Sequence, residues 1–504
     1  MVRRRAKRAQ PSPIQSKPEW RQLRHPFKPQ EAFSDDRIAA MHDLALRVLE
    51  ELGIKVLLDE ARKVYAKGGA RVVDEMVYFG RDMVDAAIAS APASFRMEAP
   101  TAARGYQVED GALIFGPGGG CPNVTDRING RRPGSIAALE DAIRLCQSFD
   151  VIHKVGPCCE AQDVPVHLRH YATMRAQLAL SDKSLFVMGR GRQQVTESFE
   201  MIRLALNHSD EEFRRGVWCS TVVNTNSPRL LDRPMAQALI DFARYGQLSV
   251  ITPFCLAGAM APVTVAGALI LQHAEALSAL VLTQLVNPGA PAVIGGFGSN
   301  VDMKSGAPAF GTPAQIQMSI GTGQLCRHVG LPWRGAAGAA SNAPDMQAAG
   351  ETHHALWGNL MANAGMVFHA AGWLEGGISF GFEKFINDIE ALQTIAQLCT
   401  RPDSDEDALG WEALTEVDPG GHFFATDQTM NRYEEAFYKP LVADLNNYGN
   451  WEMNGAVSAE NRATEIWQQV LSEFTPPEGG QDRAGRIEDF VAQHTQAGGA
   501  PILD

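Results

Sequence analysis

The sequence predicts a (β/α)8 TIM barrel, an α/β fold, with an N-terminal α+β extension and a C-terminal helical cap. Three observations predict it. Short apolar, β-rich runs occur eight times: 112–116 (ALIFG), 151–156 (VIHKVG), 184–189 (SLFVMG), 218–224 (WCSTVVN), 249–254 (SVITPF), 291–297 (PAVIGGF), 331–336 (LPWRGA) and 366–370 (MVFHA). From the second onward they start 31 to 42 residues apart, each leading through small or polar residues into a helical segment. That alternation marks a parallel sheet covered by helices, and eight units are what a barrel of about 250 residues requires. The competing doubly wound sheet is disfavoured because no G-x-G-x-x-G turn opens the first unit.

Taken in order, the chain divides into a basic arm (1–33), the extension (34–110), the barrel (111–400) and the cap (401–504). The arm opens RRRAKR and continues with Pro11, Pro13, Pro18, Pro26 and Pro29, a composition that reads as solvated and disordered. No apolar stretch follows the arginines, so a secretory signal is not expected. The first helix spans 35–52. Ser34 is placed to cap it, Ile38, Met41, Ala45, Val48, Leu49 and Leu52 form its stripe, and Gly53 stops it. The apolar stretch from Val263 to Val286 is interrupted by Gln272, His273, Glu275 and Gln284, so it reads as a flanking barrel helix rather than a membrane span. After Glu383 a helix runs to Cys399, and the last hundred residues read as acidic and helical.

A formal net charge of −13 argues against broad affinity for nucleic acid, whose phosphates are bound by clustered Lys and Arg. The eight cysteines form no C-x-x-C pair and read as small buried hydrophobes in a reducing, cytoplasmic setting. No zinc-ligand spacing stands out, and no metal of the protein's own is expected. A homo-oligomer is expected, with no membrane partner.

Barrel chemistry sits at the C-terminal ends of the strands. Those ends hold His153, Asn224, Phe254, Phe297 and His369 among many glycines, with few acids. Paired carboxylates, a nucleophile elbow and a phosphate-binding lysine loop are all missing, which fits a hydrolase poorly. Gly118, Gly119 and Gly120 in FGPGGGCP form either a flexible loop or a surface that lets a flat partner approach the backbone. Asn224 either orients a polar substrate group or makes a turn. His369 is catalytic or structural. Gln347 and Glu351 begin a helix, where capping is their alternative role. Trp373, Phe380 and Phe382 offer cation–π faces or core packing.

The order FGPGGGCP, SDKSLFVMG, NTNSPR, DMKSGAPAFGTP, PDMQAAGE, HAAGWLEGG and NYGNWEMNG, within a likeness that runs from about residue 35 to 470, resembles the trimethylamine:corrinoid methyltransferase family. The resemblance implies a barrel that holds a methylated amine and presents its methyl to Co(I) of a corrinoid (cobalamin) carried by a cognate partner protein. Pyrrolysine-containing members carry that residue near PDMQAAGE, whereas here RGAAGAASNAPDMQAAGE holds only ordinary residues. The chain therefore resembles the non-pyrrolysine branch, whose substrates include glycine betaine. A quaternary ammonium already has a neutral leaving group, so alignment alone suffices for attack on its methyl. By likeness, Asn224 and His369 would be catalytic, orienting the substrate carboxylate. Gln347, Glu351, Phe297, Trp373, Phe380 and Phe382 would line the substrate site, and Gly118 to Gly120 would face the corrinoid. Phe368–His369 stands where the family pattern has two histidines before AAG. The alternatives are a barrel acting on another methylated donor and a non-catalytic barrel that binds betaine or the corrinoid protein.

Overall fold

Strands that are apolar at nearly every residue belong where both faces are covered, and the chain builds one such sheet. The computed structural model describes residues 20–503; most of the predicted arm lies outside them. Seven parallel strands are hydrogen-bonded in the order Ala112–Phe115, Met366–Phe368, Trp333–Ala336, Ala292–Gly295, Leu248–Ile251, Cys219–Val223 and Leu185–Phe186. Leu23–Arg24 adds an antiparallel eighth strand beside Ala112–Phe115. The result is a mixed α/β fold, a curled sheet flanked by helices.

One predicted strand is not formed as such. In 151–156 only a single parallel bridge joins Lys154 to Ser184. The reason is local. The Phe115 amide donates to the Nδ1 of His153 (3.1 Å), so a side chain takes a place that a ladder carbonyl would fill. Two backbone bonds nonetheless tie this segment on either side, His153 N to Phe115 O (3.0 Å) and Val155 N to Ser184 O (3.2 Å).

The helices start where the sequence provides caps. Thr264 caps Val265–Val286, Thr312 caps Pro313–His328 with proline in its first turn, and Asp345 caps Met346–Ala362. Val265–Val286 is long and apolar enough to cross a membrane, but its most apolar window is 78% buried within the protein, as a helix packed on the sheet requires. The first helix runs Asp35–Arg47 and continues as a π-helical turn, Val48–Leu52, to Gly53 at φ +63°. Ser34 holds the N-cap position, yet its hydroxyl makes no cap bond.

After Phe382–Leu398 the chain forms short helices, then Ala459–Ser472. The helix Ala459–Ser472 is fixed to the body by Thr464 and Trp467, which both donate to the Glu383 carboxylate at 2.8 Å.

Candidate active site

Two glycines carry the chain out of Ala292–Gly295 and place the ring of Phe297. Gly295 has φ +146°, and a Cβ on Gly296 would fall inside the Gln272 side chain of the neighbouring helix. Phe297 meets four other rings. Its centroid lies 5.0 Å from Phe310, 5.3 Å from Trp373, 5.3 Å from Phe254 and 5.5 Å from His369. The His369 and Trp373 rings stack at 4.8 Å with planes 23° apart. The contributing segments follow Leu248–Ile251, its neighbour Ala292–Gly295, and Met366–Phe368 across the intervening Trp333–Ala336, so the cluster sits at the C-terminal ends of the sheet.

His369 directly follows Met366–Phe368 and takes φ +55°, a left-handed conformation uncommon for a side chain of this size. The turn is strapped to the glycine-rich loop: Ala370 N donates to Gly116 O (3.0 Å) and Gly118 N to Ala371 O (2.7 Å). Asp388 secures the other side by accepting from Gly372 N at 2.8 Å, while its second oxygen pairs with the buried Lys384. The indole of Trp373 is seated among glycines. A Cβ on Gly118 would lie 3.3 Å from it, and on Gly338 or Gly377 would collide with the ring. Part of the glycine richness at these strand ends thus serves an internal tryptophan.

Beside the cluster the interior is cationic. Arg334, on Trp333–Ala336, is 1% exposed, with its guanidinium carbon 5.0 Å from the Phe368 ring centroid and 5.8 Å from that of Phe297. Its Nε and Nη2 have no hydrogen-bond partner. Lys154, 3% exposed, donates to the Ser220 hydroxyl (2.9 Å) and lies 4.4 Å from the Phe368 ring. Burial brings the Arg334 guanidinium down to about 9, and burial together with Arg334 brings Lys154 down to about 7. Burial, then Arg334 and Lys154, hold His369 well below the usual histidine value, so its imidazole is neutral at pH 7. The Nδ1 of His369 and the Nε1 of Trp373 are buried without partners, two polar atoms available at the cluster.

The other residues named from sequence fall elsewhere. Asn224 is exposed and accepts from the Thr252 hydroxyl (3.3 Å). Its loop is held by the buried Glu275 carboxylate, which accepts from Thr225 and Ser227 hydroxyls and the Arg229 amide at 2.6–2.7 Å. Glu351 accepts from the Ala340 and Ser341 amides and from Gln347 Nε2, fastening the loop before its helix. Phe380 and Phe382 pack with each other and with Phe385 and Trp467, in a ring cluster separate from that of Phe297. Gly119 is partly exposed; Gly120 is exposed, at φ +73°, with open space where a Cβ would be. Sequence reasoning passed over Phe310, Lys154 and Arg334. The available signal for the cations was a Lys and an Arg inside β-rich runs, VIHKVG and LPWRGA, with no acid in either run. Among the described residues, no three His, Cys, Asp or Glu side chains converge to hold a metal ion.

A family model described as trimethylamine methyltransferase (MTTB) matches residues 1–499 of the chain. The glycine betaine methyltransferase of Desulfitobacterium hafniense strain Y51 is 29% identical over 462 residues, covering 91% of this chain and 96% of that protein. A trimethylamine methyltransferase, MttB, of D. hafniense strain DSM 10664 / DCB-2 is 26% identical over 471 residues, covering 92% and 93%. The crystal structure of the Methanosarcina barkeri monomethylamine methyltransferase (MtmB) aligns with 92% of this chain and 95% of its own, at 9% identity and a TM-score of 0.42.

Proposed function

Since the chain belongs to the trimethylamine methyltransferase family, we propose that it moves a methyl group from a quaternary amine of the glycine betaine type to Co(I) of a corrinoid carried by a partner protein. The observation that carries this reading is the cluster of Phe297, Phe310, His369 and Trp373 at the strand ends, 4.8 to 5.5 Å apart. Aromatic faces attract a quaternary ammonium through the ring quadrupole and offer it no proton acceptor. The rings now nest on one another, so an entering trimethylammonium group displaces one of them. Similarity to the glycine betaine methyltransferase of D. hafniense supports the choice of amine.

In this reading the sheet closes into a (β/α)8 barrel, supported by the bonds from His153 to Phe115 and from Val155 to Ser184, which bridge its first and last parallel strands. Residues 34–110 form the extension, 111–400 the barrel and 401–504 the cap. Eight free cysteines are in keeping with a reducing, cytoplasmic setting.

The corrinoid supplies the electron pair that forms the new bond to the methyl carbon. The substrate nitrogen keeps the pair of the broken N–CH3 bond and leaves as a neutral tertiary amine, so no proton is transferred. The protein's part is alignment and exclusion of water. The rings hold the ammonium with one methyl toward the mouth. The neutral His369 adds a ring face without adding charge, which a protonated imidazole would do to the detriment of a cationic substrate.

The test combines the purified chain, Co(I) cobalamin and a panel of glycine betaine, proline betaine, carnitine, choline and trimethylamine, with methylcobalamin followed by absorbance. Reaction with a quaternary amine and not with trimethylamine is expected. No reaction with any of them, with or without a cognate corrinoid protein, would overturn the reading.

A further inference from the structure

Burying a guanidinium without an anion is costly, and a purely structural cation is normally given partners. Three other buried cations have them. Lys384 pairs with Asp388 and donates to Thr352. Lys183 donates to the carbonyls of Cys146 and Phe149, and Arg483 to those of Leu178, Ser181 and Glu478. Arg334 differs. Two of its nitrogens lack any partner, and among the described residues no carboxylate lies within ion-pair distance of it. Lys154 lies against the same Phe368 ring and has only a serine hydroxyl. Two cations share one interior without an acid between them.

Phe297 connects this interior to the aromatic cluster. One ring lies 5.8 Å from the Arg334 guanidinium and within 5.5 Å of Phe310, His369 and Trp373. A ligand whose ammonium rests on Phe297 therefore brings groups one or two bonds away within reach of Arg334. The planar guanidinium fork matches a carboxylate with two parallel hydrogen bonds.

We propose that Arg334, with Lys154 beside it, is an anion subsite that binds the carboxylate of a short trimethylammonium carboxylate, setting its N-methyl groups toward the mouth. The proposal rests on the methyltransferase reading above. It assigns selectivity to charge. A betaine supplies the missing anion, whereas choline or tetramethylammonium adds a third cation to an unneutralised pair and is rejected.

Calorimetry on the full chain tests this with three probes: glycine betaine, choline, and 3,3-dimethylbutyrate, which keeps the carboxylate but has carbon in place of the charged nitrogen. Glycine betaine is expected to bind more than tenfold tighter than choline, and 3,3-dimethylbutyrate to compete with it. Arg334→Met should weaken betaine binding more than tenfold and leave choline unchanged or tighter, with Arg334→Lys in between. Equal affinity of the wild-type chain for betaine and choline would overturn the subsite alone, as would equal loss of both in Arg334→Met. Failure of every probe to bind would overturn the amine site itself. Should Arg334→Met not fold, the three wild-type affinities decide the matter, and absence of competition by 3,3-dimethylbutyrate counts against the subsite.

Discussion

The imidazole of His369 lies almost parallel to the indole of Trp373, 4.8 Å away, on a backbone turned to φ +55°. Such a conformation costs of order 1 kcal/mol or more and persists only when its surroundings hold it. Here the straps to Gly116 and Pro117 and the stacked ring do so. Because the His369 ring forms one wall of the aromatic cluster, His369→Ala should lower methyl transfer more than tenfold, whereas Asn224→Ala, exposed and outside the cluster, should change it less than about threefold. An unchanged rate in His369→Ala removes that residue from the mechanism, and a tenfold loss in Asn224→Ala would place its loop in the site.

The seat of Trp373 gives a sharper test. Gly338 has φ +113°, and a Cβ there would enter the indole. Gly338→Ala should therefore cost about 2 kcal/mol or more in denaturant unfolding and weaken betaine binding, because the indole must shift. Gly120→Ala meets open space and should cost about 1 kcal/mol, from its positive φ alone. Equal effects at the two sites would show that the glycines serve the backbone and not the ring.

Asp388 ties the Gly372 amide, one residue before that indole, to the buried Lys384. Asp388→Ala leaves the ammonium unpaired and should cost about 3–5 kcal/mol. Replacing both partners, as Lys384→Met with Asp388→Leu, should recover much of that loss in stability. Binding should stay impaired, since the Gly372 amide still lacks its acceptor. Full recovery of binding would show that Asp388 does nothing for the site beyond neutralising Lys384.

How much of this was legible in the sequence depended on which residues carry a pattern. Seven of the eight runs became parallel strands because core strands of such a sheet are apolar throughout, a signal that survives without an alignment. The run at 151–156 failed because His153 spends its side chain on the Phe115 amide, an event no periodicity reveals. Phe297 and His369 are legible because they stand at strand ends, and Trp373 because an aromatic face suits a cation. Phe310 sits on an excursion past Ser299–Val301, too far along the chain to be assigned to the same mouth. Phe380 and Phe382 have the same composition as cluster residues but meet Phe385 and Trp467, since facing is decided by packing. Arg334 was hidden because a strand residue can point into the sheet's interior or toward the helices, and packing decides which.

The last prediction concerns acid. Burial holds His153 and His273 down to about 3, against an ordinary value of 6.5. The folded protein keeps both neutral while the unfolded chain binds protons below pH 6.5, so the unfolded state takes up more protons there and stability falls as pH falls. Their contribution is fully present above pH 6.5 and is lost progressively down to about 3. Each linked histidine contributes a slope of about 1.4 kcal/mol per pH unit, so the two together give about 3 kcal/mol per unit once the pH is well below 6.5. Denaturant unfolding at pH 7.5, 6.0 and 5.0 should show this decline well above the range in which carboxylates titrate. His273→Gln should flatten part of it. A midpoint unchanged between pH 7.5 and 5.0 would mean that these imidazoles are not held neutral by the fold.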